Sequence, residues 1–400
     1  PTDDKDTTGR RADVVAPACR TLFVGDDPAN AYSSGQRVGR DSNNNGIFTG
    51  LFRSGATGVK YDRSVFQYFR GNGDLVLTTR WTDTVGNTDY DSFIARNENG
   101  VLKFSGNGYD YPATVSAGVQ DRDYLNLPDY NYIATGYGIT IPVNALTANV
   151  ARVLVTTPLG SNLEFRPAPG NANMTIYRNG GSTFAPSIPL PPAWKNPAKS
   201  GNPASWDVNQ VFASPQYGEE QLRALPDQSA WVLEFRDGSD NVLATQAYRT
   251  FSRAPTLDEV RQIKFADLTP ALREEIKSGS AATSAVILHA PSTQDPNRRD
   301  LSAEGGLDGW TVPEGGIAPT TFTANGTYNG VAFADTITFR NTARKIVLGC
   351  VPHGGADAHC DFSTGVPQYA GGSRLTVFEL FARNQNLVGV NKVFALRNQP

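Results

Sequence analysis

Apolar residues occur in short runs throughout this chain, and turn-forming residues interrupt them at close intervals, as around Val153–Val155 and Ile346–Leu348. The composition supports this pattern, with 39 Gly and 26 Pro among 400 residues. No run approaches the roughly 18–20 apolar residues of a membrane-spanning helix. With 39% hydrophobic and 10% aromatic residues, the chain also differs from disordered proteins. The sequence therefore predicts short β-strands and turns, in a chain long enough for two or three domains.

β-Branched and aromatic runs bounded by Gly, Asn and Asp predict hairpins. The first group includes Ser64–Phe69, Asp74–Trp81 and Asp91–Arg96, with a turn at Asn97–Gly100. Similar runs follow at 138–141, 151–155, 163–165, 174–177, 231–235 and 241–245, and again between 284 and 396. Short strands at this spacing are typical of β-sandwiches. We expect a mainly β protein made of tandem β-sandwich modules.

Helical character is concentrated between Thr256 and Ser278. Thr256 and Glu259 match a capping box, and Pro270 opens a second helical segment. Residues 1–45 are polar and irregular. The predicted organisation is an extended N-terminal arm (1–45), a β-rich domain (46–135), a β-sandwich domain (136–255), a helical linker (256–279) and a C-terminal β-sandwich domain (280–400).

Two regions resemble known families. The segment Asp74–Phe104, with Trp81 and the turn Glu98–Lys103, resembles the terminal β-hairpins of nuclear-transport-factor-2-like folds. The later regions, with Leu307–Pro313, resemble immunoglobulin-like or fibronectin type III-like modules of bacterial envelope lipoproteins. This resemblance implies immunoglobulin-like sandwiches in the cell envelope, and it transfers no functional residue. Such lipoproteins carry lipid on an N-terminal Cys, a position that Cys19 does not take.

Cysteine usage also favours an extracytoplasmic compartment. Cys350 and Cys360 flank a short Gly/Pro loop, which a disulfide can close in an oxidising environment. Free thiols are the alternative. If Cys350 and Cys360 are bonded, Cys19 is the odd cysteine, either a free thiol or an intermolecular link. The chain starts at Pro1 and its one Met is Met174, so we expect a processed start. We therefore predict a secreted or cell-envelope protein.

The same loop contains two candidate metal ligands. His353 and His359 lie between Cys350 and Cys360, and Cys and His are the preferred ligands of zinc. However, His359 and Cys360 are adjacent, and neighbours in an extended segment point to opposite sides. A disulfide-closed loop with solvated histidines is the alternative.

A second candidate metal site lies in the N-terminal arm. Asp41, Asn43 and Asn45 precede Gly46 in the spacing that begins a calcium-binding loop. Phe52 stands at the twelfth position, where such loops place a bidentate Glu. An Asn/Gly turn is the alternative. We expect no cofactor, with calcium as the alternative.

Material for catalysis is scarce. The chain has three His and lacks the Gly-x-Ser-x-Gly, His-Glu-x-x-His, Walker and Rossmann motifs. A glycosidase needs only two carboxylates, and Glu219–Glu220 or Asp121-x-Asp123 offer pairs, although adjacent acids are commonly solvated. A net charge of −3 argues against nucleic acid as a partner. The sequence leaves open whether the protein is an enzyme and favours a protein without enzymatic activity. A glycoside-hydrolase-like enzyme is one alternative.

Six tyrosines fall within about thirty residues and suggest an interaction surface. Exposed Tyr can stack on sugars or anchor a protein interface, while half-buried tyrosines without a binding role are the alternative. The six are Tyr109, Tyr111, Tyr124, Tyr130, Tyr132 and Tyr137. This segment makes a carbohydrate-binding module an alternative function.

The N-terminal arm suggests self-assembly. Thr21, Leu22, Phe23 and Val24 form a strand-like run that could add to a sheet edge of a neighbouring copy. Head-to-tail docking of that kind gives a homo-oligomer or a filament. The leading hypothesis is thus a non-catalytic structural or interaction protein of the cell surface, which binds itself or another surface protein, with a glycan as a further candidate partner.

Overall fold

The description below covers part of the chain. The computed structural model describes residues 2–5, 11–15, 17–27, 30–33, 36–37, 60–82, 88–106, 108–143, 149–160, 162–168, 173–178, 181–183, 187–189, 193–200, 219–278, 309–339, 341, 344, 358–361, 363 and 368–396. Strands dominate the regular structure of these residues, which confirms the prediction of a mainly β protein. No helix among them is long and apolar enough to cross a membrane.

The elements are numbered in chain order. The first strands are β1 (Thr2–Lys5), β2 (Arg11–Val15), β3 (Tyr32–Ser33), β4 (Gln36–Arg37), β5 (Lys60–Phe69), β6 (Leu75–Thr82), β7 (Thr88–Glu98) and β8 (Val101–Phe104). Next come β9 (Thr114–Tyr124), β10 (Tyr132–Thr140), β11 (Arg152–Thr156), β12 (Asn162–Arg166), β13 (Thr175–Arg178), β14 (Gly181–Thr183), β15 (Ser187–Pro189) and β16 (Ala193–Trp194). The last are β17 (Ala230–Arg236), β18 (Val242–Arg249), β19 (Asp267–Leu268), β20 (Trp310–Thr311), β21 (Thr321–Tyr328), β22 (Val331–Thr338), β23 (Cys360–Asp361), β24 (Gln368–Tyr369), β25 (Arg374–Arg383) and β26 (Gly389–Ala395). The helices are α1 (Glu219–Ala224), α2 (Leu257–Val260) and α3 (Pro270–Lys277).

The chain forms two compact units whose segments are interleaved. Unit 1 contains Pro1–Val115, Ile139–Pro186 and Ala230–Arg249. Unit 2 contains Ser116–Gly138, Ser187–Ser229 and Thr250–Pro400. The sequence predicts consecutive modules instead. The interleaving arises because β26, near the end of the chain, pairs in parallel with β9.

Unit 1 contains a four-stranded sheet in the order β5-β6-β7-β8 and a six-stranded sheet in the order β14-β13-β12-β11-β17-β18. Alternation explains the six-stranded sheet, because every second side chain of its central strands is fully buried. Val153 and Val155 in β11 and Trp231, Leu233 and Phe235 in β17 are all buried. Such period-two burial stabilises a strand against one core.

Unit 2 is built around an eight-stranded sheet in the order β15-β10-β9-β26-β25-β21-β22, with β16 also paired to β10. β26 pairs with β25 antiparallel and with β9 in parallel. One face carries a hydrophobic core that includes Phe322, Phe378 and Phe394. The helix α3 contributes Leu272 and Ile276 to the same core.

Two predicted helix starts are confirmed in unit 2. The Thr256 hydroxyl accepts a hydrogen bond from the Glu259 amide at 3.3 Å, and the Glu259 carboxylate accepts from the Thr256 amide at 2.7 Å. This is the predicted capping box of α2. Thr269 caps α3, with Pro270 in its first turn.

Candidate functional site

The side chains of β9 and β26 alternate between the two faces of the eight-stranded sheet. The two strands pair with Lys392 beside Asp121 and Asn391 beside Gln120. Successive residues of a strand point to opposite faces. Lys392 and Asp121 therefore share the face that carries Phe394, which we call the inner face. Asn391 and Gln120 share the opposite, outer face.

Four charged side chains form an ion cluster on the inner face. The Nζ of Lys392 lies 2.8 Å from Oδ1 of Asp121 and 2.7 Å from Oδ2 of Asp123. The Nζ of Lys195 contacts both carboxylates as well, at 2.7 Å from Oδ1 of Asp123. Asp123 and Lys392 are buried, with 7% and 6% of their surfaces exposed. Arg273 borders this cluster, with Nη2 3.5 Å from Oδ2 of Asp123, and also pairs with Asp267.

The ion cluster favours the charged forms of Asp123 and Lys195. Burial alone would raise the pKa of Asp123, but Lys392 and Lys195 outweigh burial and lower that pKa to about 2. Burial alone would lower the pKa of Lys195, but Asp121 and Asp123 raise it. A general acid needs a carboxyl pKa raised toward neutrality. The Asp121-x-Asp123 pair therefore does not suit the acid–base role considered from the sequence, and it ties three chain segments together instead.

The outer face contains an open trough at the same level of the two strands. Its lining includes Gly118 in β9, Gly136 and Gly138 in β10, and Gly389 in β26. Because glycine has no side chain, backbone forms the floor at these positions. The trough has a volume of about 200 Å³. A cavity of about 150 Å³ can hold one six-membered ring, so the trough has room for one ring of a ligand.

Packing does not require glycine at two of these positions. A Cβ at Gly118 would have the carbonyl oxygen of Gly389 as its nearest neighbour, at 3.7 Å. A Cβ at Gly138 would lie 3.7 Å from Oγ of Ser116. Both are ordinary van der Waals distances. Glycine weakens a strand, so these residues keep space open at a cost in stability.

The walls of the trough combine apolar and polar groups. Phe381 in β25 lies over Gly389, with a ring carbon 3.0 Å from the place where a Cβ would stand. Gln120, Asn391 and Arg383 also line the trough. Asn391 donates through Nδ2 to Glu379 at 3.0 Å, whereas its buried Oδ1 accepts no hydrogen bond from a described residue. The trough therefore offers an aromatic wall, amide groups and one cation.

Four of the predicted tyrosines lie in unit 2. Tyr124 and Tyr132 are buried in one small cluster with Ala134, which also lines the trough. Tyr137 also lines the trough, and its hydroxyl accepts a hydrogen bond from the Ala254 amide at 3.0 Å. The tyrosines of this region are thus mostly structural.

Tyr130 is the most accessible of these four. Its ring meets Trp194 edge to face at 6.0 Å, and Nζ of Lys199 lies 4.2 Å from the ring centroid. Tyr130 and Trp194 are both partly exposed and pack against the cluster that contains Ala134. They form an aromatic border close to one end of the trough.

The other two predicted tyrosines lie in unit 1. Tyr109 stacks on Tyr248 at 4.3 Å and donates to the carbonyl of Ala247 at 2.7 Å. Burial raises the pKa of Tyr109 to about 12, so its hydroxyl stays a donor. Tyr111 stacks on Phe235 at 4.7 Å. Both rings are therefore engaged within unit 1.

The predicted strand at Thr21–Val24 is replaced by two 3₁₀ turns, Pro17–Leu22 and Val24–Asp26. Gly25, with a φ of 66°, lies inside the second turn. Leu22 is half-exposed, whereas Phe23 is 3% exposed and forms a single bridge with Phe104 of its own chain. Phe23 is therefore engaged within unit 1.

Most of the predicted metal ligands lie outside the described residues, namely Asp41, Asn43, Asn45 and His353. His359 is described, and its ring stacks on Phe333 at 4.3 Å, with Nε2 3.3 Å from Oδ1 of Asp335. Within the described ranges, no group of three or more His, Cys, Asp and Glu is placed to hold a metal ion. The calcium loop stays a prediction.

The predicted disulfide also stays a prediction, because Cys350 lies outside the described residues. Cys360 begins β23, and its Sγ lies 3.7 Å from Nε2 of His359.

Among the residues that line the trough, only Tyr137 was predicted from the sequence as a candidate interaction residue. One signal was present, since Gly136 and Gly138 are spaced by two within a strand and so share a face. Their neighbours Gly118 and Gly389 could not be found, because they come from distant parts of the chain.

No protein-family model matches the chain, and no curated protein matches it either. The function therefore has to be argued from the geometry of the trough.

Proposed function

We propose that the protein is a non-catalytic binding protein that holds one ring of a glycan in the trough of unit 2. The observation that carries this proposal is the open volume of about 200 Å³ above glycine backbone. The wider prediction, a secreted or envelope protein with tandem immunoglobulin-like sandwiches, belongs to the same proposal and fits an extracellular glycan.

The chemistry of the trough suits a sugar ring. A sugar has an apolar C–H face, which can pack on an aromatic ring, and hydroxyls that both donate and accept hydrogen bonds. Phe381 supplies the aromatic wall, and Gln120 and Asn391 supply amides. Asn391 is held in place by its Nδ2 bond to Glu379, and Gln120 supplies an amide that can bond to a ligand hydroxyl.

The lining also favours binding over chemistry. The residues that line the trough, all in the described part of the chain, include no Asp, Glu, His or Cys. Acid–base catalysis depends mainly on His, Glu and Asp, and the hydroxyls of Ser116 and Thr135 have no such base in the lining to activate them. A ligand in the trough would therefore be held without being cleaved.

The alternative role, a subunit that docks its arm on a neighbouring copy, has less support from the described residues. Phe23 packs on Phe104, and the Gly25 amide donates to the Glu98 carboxylate at 3.0 Å. These contacts occupy this part of the arm within its own chain. We therefore place glycan binding first.

The test is to fill the trough. In Gly118→Val and Gly138→Val, the new side chains would occupy the space above the floor, so we expect at least a tenfold weaker binding to any glycan that the wild type selects on an array. Thr323→Val is the matched control, because Thr323 lies in β21 and outside the lining. Thermal unfolding would show that all three variants fold.

Two results would contradict the proposal. One is a wild-type protein that binds no glycan on the array. The other is binding that both glycine variants retain at full strength.

A further inference from the structure

The trough carries a single formal charge. Arg383 is the only ionised side chain among the residues that line it, all of which the structure describes. The remaining lining is apolar, hydroxyl or amide in character. A neutral ligand would leave this charge without a counterpart, whereas an anionic group on the ligand would match it.

Arg383 differs in its partners from Arg96 and Arg253. Arg96 lies 2.8 Å from Asp74, and Arg253 lies 2.6 Å from Glu259. No ion pair joins Arg383 to a carboxylate within the described ranges. Arg383 is exposed, so its guanidinium is accessible to a ligand. Guanidinium groups bind carboxylates through two parallel hydrogen bonds.

The hairpin between β25 and β26 fixes the position of Arg383. Its cross-strand neighbour is Gly389 of the trough floor. The turn that follows is closed by the Asn384 amide, which donates to the carbonyl of Val388 at 3.0 Å. The Asn384 side chain accepts from the amides of Asn386 and Val388 at 2.9 and 3.1 Å. Arg383 thus stands on a well-connected backbone at the edge of the trough.

On the basis of the proposed function, we infer that the ring in the trough carries a carboxylate that Arg383 binds. The ligand is then an acidic sugar of the uronic acid class. Phe381 packs on the face of the ring, the amide of Gln120 bonds to a hydroxyl, and Arg383 pairs with the carboxylate.

The experiment compares acidic and neutral probes by titration calorimetry. The acidic probes are oligogalacturonate and oligoglucuronate, and each is paired with the neutral oligosaccharide in which hydroxymethyl groups replace the carboxylates. We expect the wild type to prefer an acidic probe by roughly 10- to 100-fold, the range for a hydrogen bond between charged groups. Arg383→Gln should lose this preference and Arg383→Lys should keep part of it. Arg374→Gln, at the other end of β25 and outside the lining, should keep all of it.

The outcomes separate the inference from the proposed function. Equal binding of acidic and neutral probes by the wild type, or an acidic preference that survives in Arg383→Gln, overturns the inference and leaves glycan binding intact. Binding of neither probe class overturns the inference, and the glycan array then decides the proposed function separately. Tighter binding of a short peptide with a free C-terminal carboxylate than of any uronate would replace the sugar with a peptide.

Discussion

The two faces of the β9–β26 pair differ sharply although the same two strands form both of them. On the inner face, Lys392 and Asp121 stand side by side and satisfy each other. One residue away, on the outer face, Asn391 and Gln120 border an open trough. The inner face is filled by charged and apolar side chains, whereas the outer face is left open where Gly118 and Gly389 adjoin. Because side chains alternate along a strand, one strand pair can support the ion cluster on one face and a binding site on the other.

The ion cluster also explains how the sheet can tolerate the glycines of the trough. Strand glycines weaken pairing, and the trough combines glycines from three adjacent strands. On the opposite face, Lys392 joins β26 to Asp121 and Asp123 of β9. We therefore expect the inner face to stabilise the sheet and the outer face to determine binding, and three measurements would break or sharpen this division.

The largest change in the free energy of unfolding is expected from a substitution that breaks the ion cluster of the inner face. Lys392→Met leaves Asp121 and Asp123 buried with one cation fewer, and loss of one partner of a buried ion pair costs about 3–5 kcal/mol. Urea denaturation measures this free energy of unfolding. Lys277→Met, which breaks an exposed pair with Glu274 at 2.8 Å, should cost less than about 1 kcal/mol. Equal small losses in both variants would show that the ion cluster does not stabilise the sheet.

A second comparison sets two strand glycines against each other. At Gly326 a Cβ would lie 2.5 Å from the carbonyl oxygen of Arg374 and 2.7 Å from Cζ of Phe333. Gly326→Ala should therefore destabilise the protein by about 1–3 kcal/mol. Gly118→Ala should change the unfolding free energy by less than about 1 kcal/mol, in either direction, because its Cβ meets nothing closer than 3.7 Å. A large loss in Gly118→Ala would mean that packing, and not ligand space, explains this glycine.

The third prediction concerns pH. The pKa of Asp123 is about 2 in the folded protein and about 3.9 in an unfolded chain. Because the folded value is lower, Asp123 stabilises the fold above about pH 4, and this contribution of about 2 kcal/mol is lost as the pH falls toward 2. Unfolding free energies measured between pH 5 and pH 2 should fall less steeply in Asp123→Asn. Identical slopes in the wild type and in Asp123→Asn would contradict the assignment.

Local structure was largely predictable from the sequence. The hairpin strands β5 to β8 follow from aromatic and β-branched runs between turn residues. The capping box at Thr256 and the start of α3 after Thr269 follow from side chains within three residues of each other. Each of these signals depends on neighbours in the sequence, and so a local pattern is sufficient to find it.

The strand β9 shows why other parts were missed. Its second half contains Gln120, Asp121, Arg122 and Asp123, a polar run that suggests a solvated loop. The run becomes a strand because Lys392, 271 residues later, neutralises Asp121 on the inner face. A charge pattern cannot indicate a buried strand when its counter-charges are so distant. The accessible tyrosines could not be identified from the sequence either, because burial by distant segments decides which rings remain exposed.

The sequence alone determined the β class of this protein, its turns and its helix caps, because these depend on side-chain periodicity and short-range hydrogen bonds. The tertiary structure alone decided that β26 lies beside β9, that the aspartates of β9 face lysines, and that glycines from three strands adjoin one another. Those outcomes depend on contacts between segments separated by hundreds of residues. No local pattern specifies such contacts, and the trough and its cation exist only because of them.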